Sequence, residues 1–273
     1  MATSVEPVVV EASDDSAPLS GHSGRLALTV VGCAYVVAVV VFMTYDIQGS
    51  LSFALELRAK KLLAITLVSI SLATAAVLFH TITGNRILTP ALIGLDSLYI
   101  LIQSVAVSLF GALTVVRFDE RARFVFAVVV MVAFVLALNA VFLRRASTDL
   151  PLLVLGGIVL GGMFSSVTAL VIRLLDPNEF LILEDLLFAS FTLVNEELLV
   201  ISSVVIAAIL FAVVRGRRVL DVMALGRPPA ISLGADYDRV NRRLIVVIAV
   251  LVAVPTALVG PVTILGLLAS NAA

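Results

Sequence analysis

Seven long uncharged stretches divide this chain, and each is long enough to cross the hydrocarbon core of a bilayer. About 20 helical residues, at about 1.5 Å of rise each, give the roughly 30 Å that one crossing requires. In lipid a helix satisfies its own backbone hydrogen bonds, so helices are the expected spanning structure. We therefore predict an all-α, polytopic membrane protein. The stretches are residues 26–45, 62–85, 97–116, 124–143, 150–172, 198–214 and 244–273.

Composition excludes several classes of protein. Hydrophobic residues make up 61 % of the chain, charged residues 14 %, and the mean hydropathy is +1.18, which is outside the range of soluble domains. The net charge of −1 comes from 18 basic and 19 acidic residues, so nucleic acid is not an expected partner. Cys33 is the single cysteine, which excludes an intrachain disulfide and a thiolate metal cluster. The sequence has no catalytic constellation and no GxxxxGK[ST] phosphate loop, so we predict no catalytic residue.

The arginines predict the orientation of the chain in the membrane. Arg144, Arg145 and the seven arginines of residues 215–243 fall on one side when the spans alternate, and basic loops face the cytoplasm. The N-terminus is then cytoplasmic too. Residues 1–24 are acidic and rich in serine, without the features of a signal peptide, and we expect a disordered cytoplasmic tail. The opposite side receives the basic joints near residues 58–61 and 117–123 and the acidic segment 176–197.

Proline and glycine interrupt the last apolar stretch. Pro255, Gly260, Pro261 and Gly266 make one helix over all of residues 244–273 improbable, because each proline removes a backbone donor. We expect a seventh span that ends near Val259, a turn, and the beginning of an eighth span. Broken backbone at Gly260 and Pro261 would border a translocation pathway or form a simple external turn, and the sequence leaves both open.

Two further segments have a predicted local structure. Asp176, Pro177 and Asn178 form a turn signal, and residues 180–194 have the helical spacing of an interfacial helix. In the fifth span, four glycines lie on one stripe and permit a neighbouring backbone to approach closely. These glycines are Gly156, Gly157, Gly161 and Gly162.

The loop 215–243 carries the most informative pattern. Residues 220–226 and 229–234 form two short apolar-faced units, each closed by glycine, with Asp221 as a candidate cap and Pro229 suited to a first turn. Two short helices at the membrane surface follow. Exposed leucines on such helices favour a protein partner over a purely solvated connection.

This loop resembles the cytoplasmic coupling segment of permeases from ABC importers for iron-siderophores, heme and cobalamin, the FecCD-type family. Three further segments resemble its iron-siderophore branch: residues 85–90 with 94–99, residues 176–180 with 188–191, and residues 260–268. The resemblance runs from about Leu57 to the end of the chain. The matching coupling residues are Leu220, Leu225, Gly226, Ala230, Leu233 and Gly234, with Asp221 between them.

The resemblance implies a type II ABC importer permease that moves a ferric siderophore inward through a bacterial cytoplasmic membrane. Its expected partners are an ABC ATPase that binds the coupling helices, an extracytoplasmic substrate-binding protein, and a second copy of the chain or a related permease. No cofactor is expected on this chain, and ATP and Mg²⁺ would be used by the ATPase.

Residues 58–61 occupy the place where the family has a basic motif that docks carboxylates of the binding protein. Arg58 and Lys61 keep positive charge there, although Lys61 lacks the bidentate fork of arginine. Docking by Arg58 and Lys61 is the resulting hypothesis, and interfacial snorkelling is the alternative.

Three polar features remain within or beside the spans. We interpret His80 as an interfacial residue. We expect Asp96 near the cytoplasmic interface, since mid-bilayer burial of a carboxylate costs about 2.5 to 3.5 kcal/mol. A structural pair with Arg86 is the favoured interpretation, and a gating role beside the pathway is the alternative. The external acidic residues are interpreted as a solvated rim or a contact for the binding protein, and no metal site is predicted. These acidic residues are Glu184, Asp185, Glu196 and Glu197.

Members of the family continue through further spans, whereas this chain stops just inside what corresponds to the eighth. We therefore expect residues 25–273 to be a permease domain that is short at its C-terminus. The alternative function is a truncated, non-transporting or regulatory remnant of such a permease.

Overall fold

The computed structural model describes residues 21–45, 51–85, 88–145, 150–188, 191 and 194–262, and this part of the chain is almost entirely helical. The predicted all-α architecture is confirmed. The helices are α1 (Gly21–Thr44), α2 (Leu51–Thr83), α3 (Leu95–Phe110), α4 (Ala112–Arg117), α5 (Glu120–Arg145), α6 (Leu150–Leu174), α7 (Pro177–Leu187), α8 (Glu196–Arg215), α9 (Arg217–Ala224), α10 (Arg227–Ser232) and α11 (Tyr237–Val259), and a 3₁₀ turn, Pro90–Ile93, precedes α3.

Helices account for the predicted spans up to Val259, and the chain is a multi-pass membrane protein. The expected beginning of an eighth span, after residue 262, and the expected disordered tail up to residue 20 lie outside the described residues. Five helical segments of the described chain are long and apolar enough to cross a bilayer: Ala54–Thr83, Glu120–Val141, Val154–Leu174, Glu196–Arg215 and Tyr237–Val259. Two shorter apolar helices, Thr29–Thr44 and Leu95–Phe110, account for the first and third predicted spans. Gly111, with φ 79°, breaks the third predicted span into α3 and α4. The expected interfacial helix is α7, which begins and ends earlier than predicted.

The chain forms two units, one up to Arg58 and one from Ala59 onward. In the second unit, α2, α3, α5 and α11 supply most of one hydrophobic core. The helix α11 is buried on nearly every turn from Leu244 to Val259. Large core side chains include Phe79 of α2, Leu95 of α3, Met131 of α5, and Ile248 and Leu251 of α11.

Pro255 lies inside α11 without breaking it. Because proline has no N–H, the carbonyl oxygen of Leu251, four residues earlier, loses its donor within the helix. The hydroxyl of Ser71, fully buried on α2, donates to that oxygen at 2.6 Å. A neighbouring helix therefore satisfies the carbonyl that the proline leaves open, at a depth where water does not.

The glycine stripe of α6 brings a second backbone into contact. A Cβ atom on Gly157 would lie 2.7 Å from the Cα of Ile93, and one on Gly161 would lie 3.1 Å from the Cα of Gly94. The predicted close approach is thus confirmed at these two positions, whereas Gly162 faces open space. The contacting partner is the turn that leads into α3, and Ser165 of α6 also donates to the hydroxyl of Ser97 at 3.2 Å.

Polar contacts define two ends of the second unit. At one end, which we call the carboxylate end, three contacts involve acidic side chains. Lys60 pairs with Glu196 at 2.8 Å, Arg121 pairs with Glu197, and the Asn195 amide donates to Glu120 at 2.9 Å. These contacts join the beginnings of α5 and α8 and the residues after Ala59 in α2. The arginine-rich end carries α9, α10 and the beginning of α11, residues 215–243. Spans that alternate in direction predict the same division of these connecting segments between the two ends.

Candidate functional site

The segment between α8 and α11 folds as two short helices, as predicted. Gly216 ends α8 and begins α9. Gly226 then turns the chain with φ 88°, which a side chain would disfavour, and α10 follows with Pro228 and Pro229 in its first turn. Gly234, with φ 83°, follows the end of α10, and the N–H of Ala235 donates to the carbonyl of Ala230 at 3.0 Å. We call this pair of helices, residues 217–234, the two-helix module.

The two-helix module has a small core of its own. Met223 of α9, Ala230 of α10 and Tyr237 of α11 are buried against one another. Ala230, which the sequence singled out as a coupling residue, is fully buried, so its small side chain lets α10 approach α9. Leu220 is half-buried and packs against the main core, which ties α9 to the membrane helices.

The outer face of the module is apolar. Leu225 is 58 % exposed, Leu233 is 64 % exposed and Ile231 is 53 % exposed. Asp221 and Gly234 are exposed beside them, and Gly226 is half-buried. Exposed leucines on a structured surface are typical of a protein interface. Of the predicted coupling residues, Leu225 and Leu233 are therefore available for contact, and Ala230 is structural.

The expectation that Asp221 caps a helix is wrong. The helix α9 begins at Arg217, four residues before Asp221, and its N-cap is Gly216. The Arg217 to Val219 stretch was missed because the apolar pattern starts only at Leu220, whereas the helix continues directly from the end of α8.

Asp96 lies deep in the bundle rather than near the interface, which corrects the expectation from sequence. It lines a small cavity with Leu72, Val252 and Thr256, and the Thr256 hydroxyl donates to its carboxylate at 3.4 Å. Leu72 is roughly 16 Å along α2 from Thr83 at about 1.5 Å per residue. Asp96 is only 9 % exposed and lies in the first turn of α3, where the helix dipole favours a carboxylate. The predicted partner Arg86 lies outside the described residues.

The predicted pathway residue Gly260 ends α11 one turn beyond Thr256, with φ 102°. It lines a cavity of about 250 Å³ at the carboxylate end, and Pro261 follows it half-buried. The other polar walls of this cavity are Tyr99, Gln103, Glu120, Arg123 and Asp185. A phenol, an amide and a guanidinium beside an interrupted helix give a polar surface that can contact a passing solute.

Sequence reasoning missed Tyr99, Gln103 and Arg123 as cavity residues. A signal was present, because Tyr99 and Gln103 lie four residues apart, on one face of α3, and Gln103 is a polar side chain in an apolar stretch. That Arg123 joins them from another helix depends on the packing of α5 against α3.

Arg58 is engaged within the first unit. Its Nη1 donates to the carbonyls of Phe42 and Tyr45, both at 2.8 Å, and its guanidinium lies 5.9 Å from the Phe42 ring centroid. These carbonyls belong to the end of α1, where intrahelical donors are missing. Lys61 is half-buried, and the neighbouring Lys60, which the sequence did not single out, makes the ion pair with Glu196.

His80 lies in α2, and the four external acidic residues lie in α7 and α8. His80 is half-buried in the last turn of α2, and its Nε2 has no hydrogen-bond partner in the described chain. Glu196 and Glu197 each contact a basic side chain, and Glu184 and Asp185 are exposed. Across the described ranges, no three His, Cys, Asp or Glu side chains gather as metal ligands would.

Comparison with known proteins establishes the family. The sequence profile of the FecCD transport family matches residues 25–273. The chain belongs to the FecCD transport family. It is a membrane permease of that family, and the matched range includes the two-helix module.

Two curated relatives are petrobactin import system permeases. The protein YclO of Bacillus subtilis is 41 % identical over 91 % of this chain and 78 % of its own length. The protein FatC of Bacillus anthracis is 34 % identical over 78 % of this chain, which spans 60 % of that relative. A vitamin B12 import system permease, BtuC of Vibrio cholerae, is 28 % identical, and the match spans 62 % of its length.

A solved structure has the same fold. It is described as an inward-facing conformation of a metal-chelate type ABC transporter, and it superposes with a TM-score of 0.73. The match covers 90 % of this chain and 78 % of the other chain at 22 % identity. At that identity the likeness concerns the fold.

Proposed function

We propose that this FecCD chain is the membrane-spanning permease subunit of an ATP-driven ABC importer that carries a ferric siderophore into the cytoplasm. The observation that carries the proposal is the exposed apolar face of the two-helix module, Leu225 and Leu233, at the arginine-rich end. The petrobactin import systems of the curated relatives support a ferric siderophore as the substrate class.

The ATPase partner follows from the physical character of the module. The two short helices share a small core and are joined directly to α8 and α11. A displacement of the module by a bound protein would therefore displace those two helices as well. An ATPase subunit that binds Leu225 and Leu233 would transmit its closure to the bundle through this connection. ATP hydrolysis then occurs on the partner, and the permease itself is not an enzyme.

The proposed orientation places the arginine-rich end in the cytoplasm, because basic loops face that side. The N-terminus is then cytoplasmic, the carboxylate end is extracytoplasmic, and the membrane is the bacterial cytoplasmic membrane. The substrate-binding protein would dock at the carboxylate end. For Arg58 and Lys61 docking remains a proposal, and the engagement of Arg58 with the end of α1 gives that residue a structural role as well.

A second copy of the chain, or a related permease, would complete the transporter. The ferric siderophore would pass near Gly260, whose cavity offers Tyr99, Gln103 and Arg123 as polar contacts. Asp96, held by Thr256 below that cavity, would stabilise the interrupted backbone at the beginning of α3.

The test is co-purification of the chain with the ABC ATPase subunit of its importer. We expect Leu225→Asp with Leu233→Asp to reduce the recovered ATPase at least tenfold, because charged side chains would occupy the apolar contact, while the permease folds normally because both positions are exposed. Leu181→Asp with Phe188→Asp is the matched control, since these exposed residues, one in α7 and one directly after it, lie at the carboxylate end. That control should retain the ATPase.

Unaltered ATPase association in the Leu225 and Leu233 variant would rule out the coupling assignment. Uptake of a ferric chelate by cells with the complete system distinguishes the importer from a non-transporting remnant. Association with the ATPase without any chelate uptake would favour the remnant.

A further inference from the structure

A large open cavity in the described chain lies at the arginine-rich end, between the end of α5 and the beginning of α11. Its volume is about 670 Å³. Leu136, Asn139 and Ala140 of α5 form one wall, and α11 supplies most of the other. The lining residues on that side are Asp236, Asp238, Arg239, Arg242, Arg243 and Val246.

The charges of this cavity do not cancel. Asp236 accepts from the side chain of Arg239 at 3.2 Å, and Asp238 contacts Arg227 at 3.4 Å. Both carboxylates therefore have a basic partner. Arg242 and Arg243 have no ion pair within the described part of the chain, so two guanidinium groups remain to face an anion.

Asn139 adds a second, independent feature. It is 4 % exposed, and its side-chain Oδ1 is buried without a hydrogen-bond partner among the described residues. A buried acceptor without a donor costs about 1–3 kcal/mol, so such atoms are rarely left unsatisfied. Asn139 lines the cavity but its Oδ1 is buried, so the amide must rotate toward the cavity before a donor on a bound molecule can satisfy that oxygen.

The remaining wall is apolar. Leu136, Ala140 and Val246 place hydrocarbon next to the two arginines, and Leu136 is partly exposed on the outside of α5. Basic pockets between membrane helices at a bilayer surface bind the headgroups of anionic lipids. A soluble anion would use the arginines and leave the apolar wall unused, whereas a phospholipid would use both.

We propose that this cavity binds an anionic phospholipid whose headgroup carries a hydroxyl, such as phosphatidylglycerol. Arg242 and Arg243 hold the phosphate, which suits the fork of guanidinium donors. Asn139 accepts a hydrogen bond from the headgroup hydroxyl, and an acyl chain lies along Leu136 and Val246. The lipid thereby links the ends of α5 and α11 beside the two-helix module.

The experiment measures lipid retention by native mass spectrometry of the full chain, purified in detergent and given equal amounts of phosphatidylglycerol and phosphatidylcholine with the same acyl chains. Wild type is expected to retain phosphatidylglycerol preferentially. Arg242→Gln with Arg243→Gln should lower that retention roughly thirtyfold, since each of the two basic residues near an anionic surface contributes about 1 kcal/mol. Arg217→Gln with Arg218→Gln removes the same charge from α9, away from the cavity, and should retain the lipid as wild type does.

A third variant tests the buried acceptor. Asn139→Ala should reduce the preference for phosphatidylglycerol over phosphatidic acid, whose headgroup has no glycerol hydroxyl. An unchanged preference would contradict the role of Asn139.

Several results would overturn the proposal. Equal retention of the two lipids by wild type would do so without any variant, and so would equal losses in the two arginine pairs, which would indicate general surface attraction. Inorganic phosphate that raises the melting temperature of wild type as much as the lipid would identify a soluble-anion site. A wild type that retains no phospholipid would show that the cavity is closed to lipid.

Discussion

The helical hydrogen-bonding pattern of this permease is interrupted both in the bundle and in the two-helix module, and the two regions differ in what surrounds the interruptions. Inside the bundle, the interruptions at Gly94 and Pro255 are closed by neighbouring elements: α6 packs against Gly94, and Ser71 donates to the Leu251 carbonyl. In the two-helix module, Cβ atoms on Gly226 and Gly234 would meet nothing within 4 Å. Leu225 and Leu233 next to them stay exposed.

The difference follows from the surroundings. Within lipid no water can satisfy an open carbonyl or fill a gap, so the fold itself must supply the contact. At the surface, water solvates the turn, and an exposed apolar face is available to another protein. The interruptions of the bundle are therefore structural, and those of the module leave a surface for a partner.

The largest expected loss of stability comes from a substitution where α6 packs against the turn before α3. Gly157→Ala should lower stability by about 3 kcal/mol, because the new Cβ would lie 2.7 Å from the backbone of Ile93 and neither backbone can move freely. Gly162→Ala, in the same helix with nothing within 4 Å, should leave stability nearly unchanged. Thermal unfolding in detergent measures both. Equal effects of the two substitutions would show that α6 and the turn before α3 are not in tight contact.

The next effect concerns the carbonyl opposite Pro255. Ser71→Ala should lower stability by about 2 kcal/mol, since the Leu251 oxygen then stays buried without a donor. In the Pro255→Ala background the same substitution should cost much less, because residue 255 regains an N–H that can donate to Leu251. A double-mutant cycle on unfolding free energies measures this coupling. Additive effects would mean that Ser71 does not replace the donor that proline lacks.

The smallest expected loss of stability comes from a substitution at the solvent-exposed turn of the two-helix module. Gly226→Ala should cost about 1 kcal/mol within the module, because its φ of 88° disfavours a side chain although space is free. Hydrogen exchange of residues 217–234 should speed up, while the melting temperature of the bundle changes little. A large fall in that melting temperature would indicate that the module supports the membrane helices, contrary to the comparison.

Much of the fold could be predicted from the apolar stretches and the punctuating glycines. The spans, the interfacial helix α7, the two short helices closed by Gly226 and Gly234, and the close approach at Gly157 and Gly161 all follow from local chemistry. The predictions for Asp96 and Asp221 failed because both depended on where a helix begins: α3 starts deep in the bundle, and α9 continues directly from α8. Neither position is encoded in a short window of sequence.

The sequence by itself determined the membrane class, the helical architecture and the family, because hydrophobic length and turn chemistry act through neighbouring residues. Tertiary structure alone decided which groups meet: Ser71 with the Leu251 carbonyl, Thr256 with Asp96, and Asn139 with Arg242 and Arg243 around one cavity. These contacts join residues far apart in the chain. They depend on the rotation and depth at which each helix packs, which the whole bundle fixes rather than any single segment.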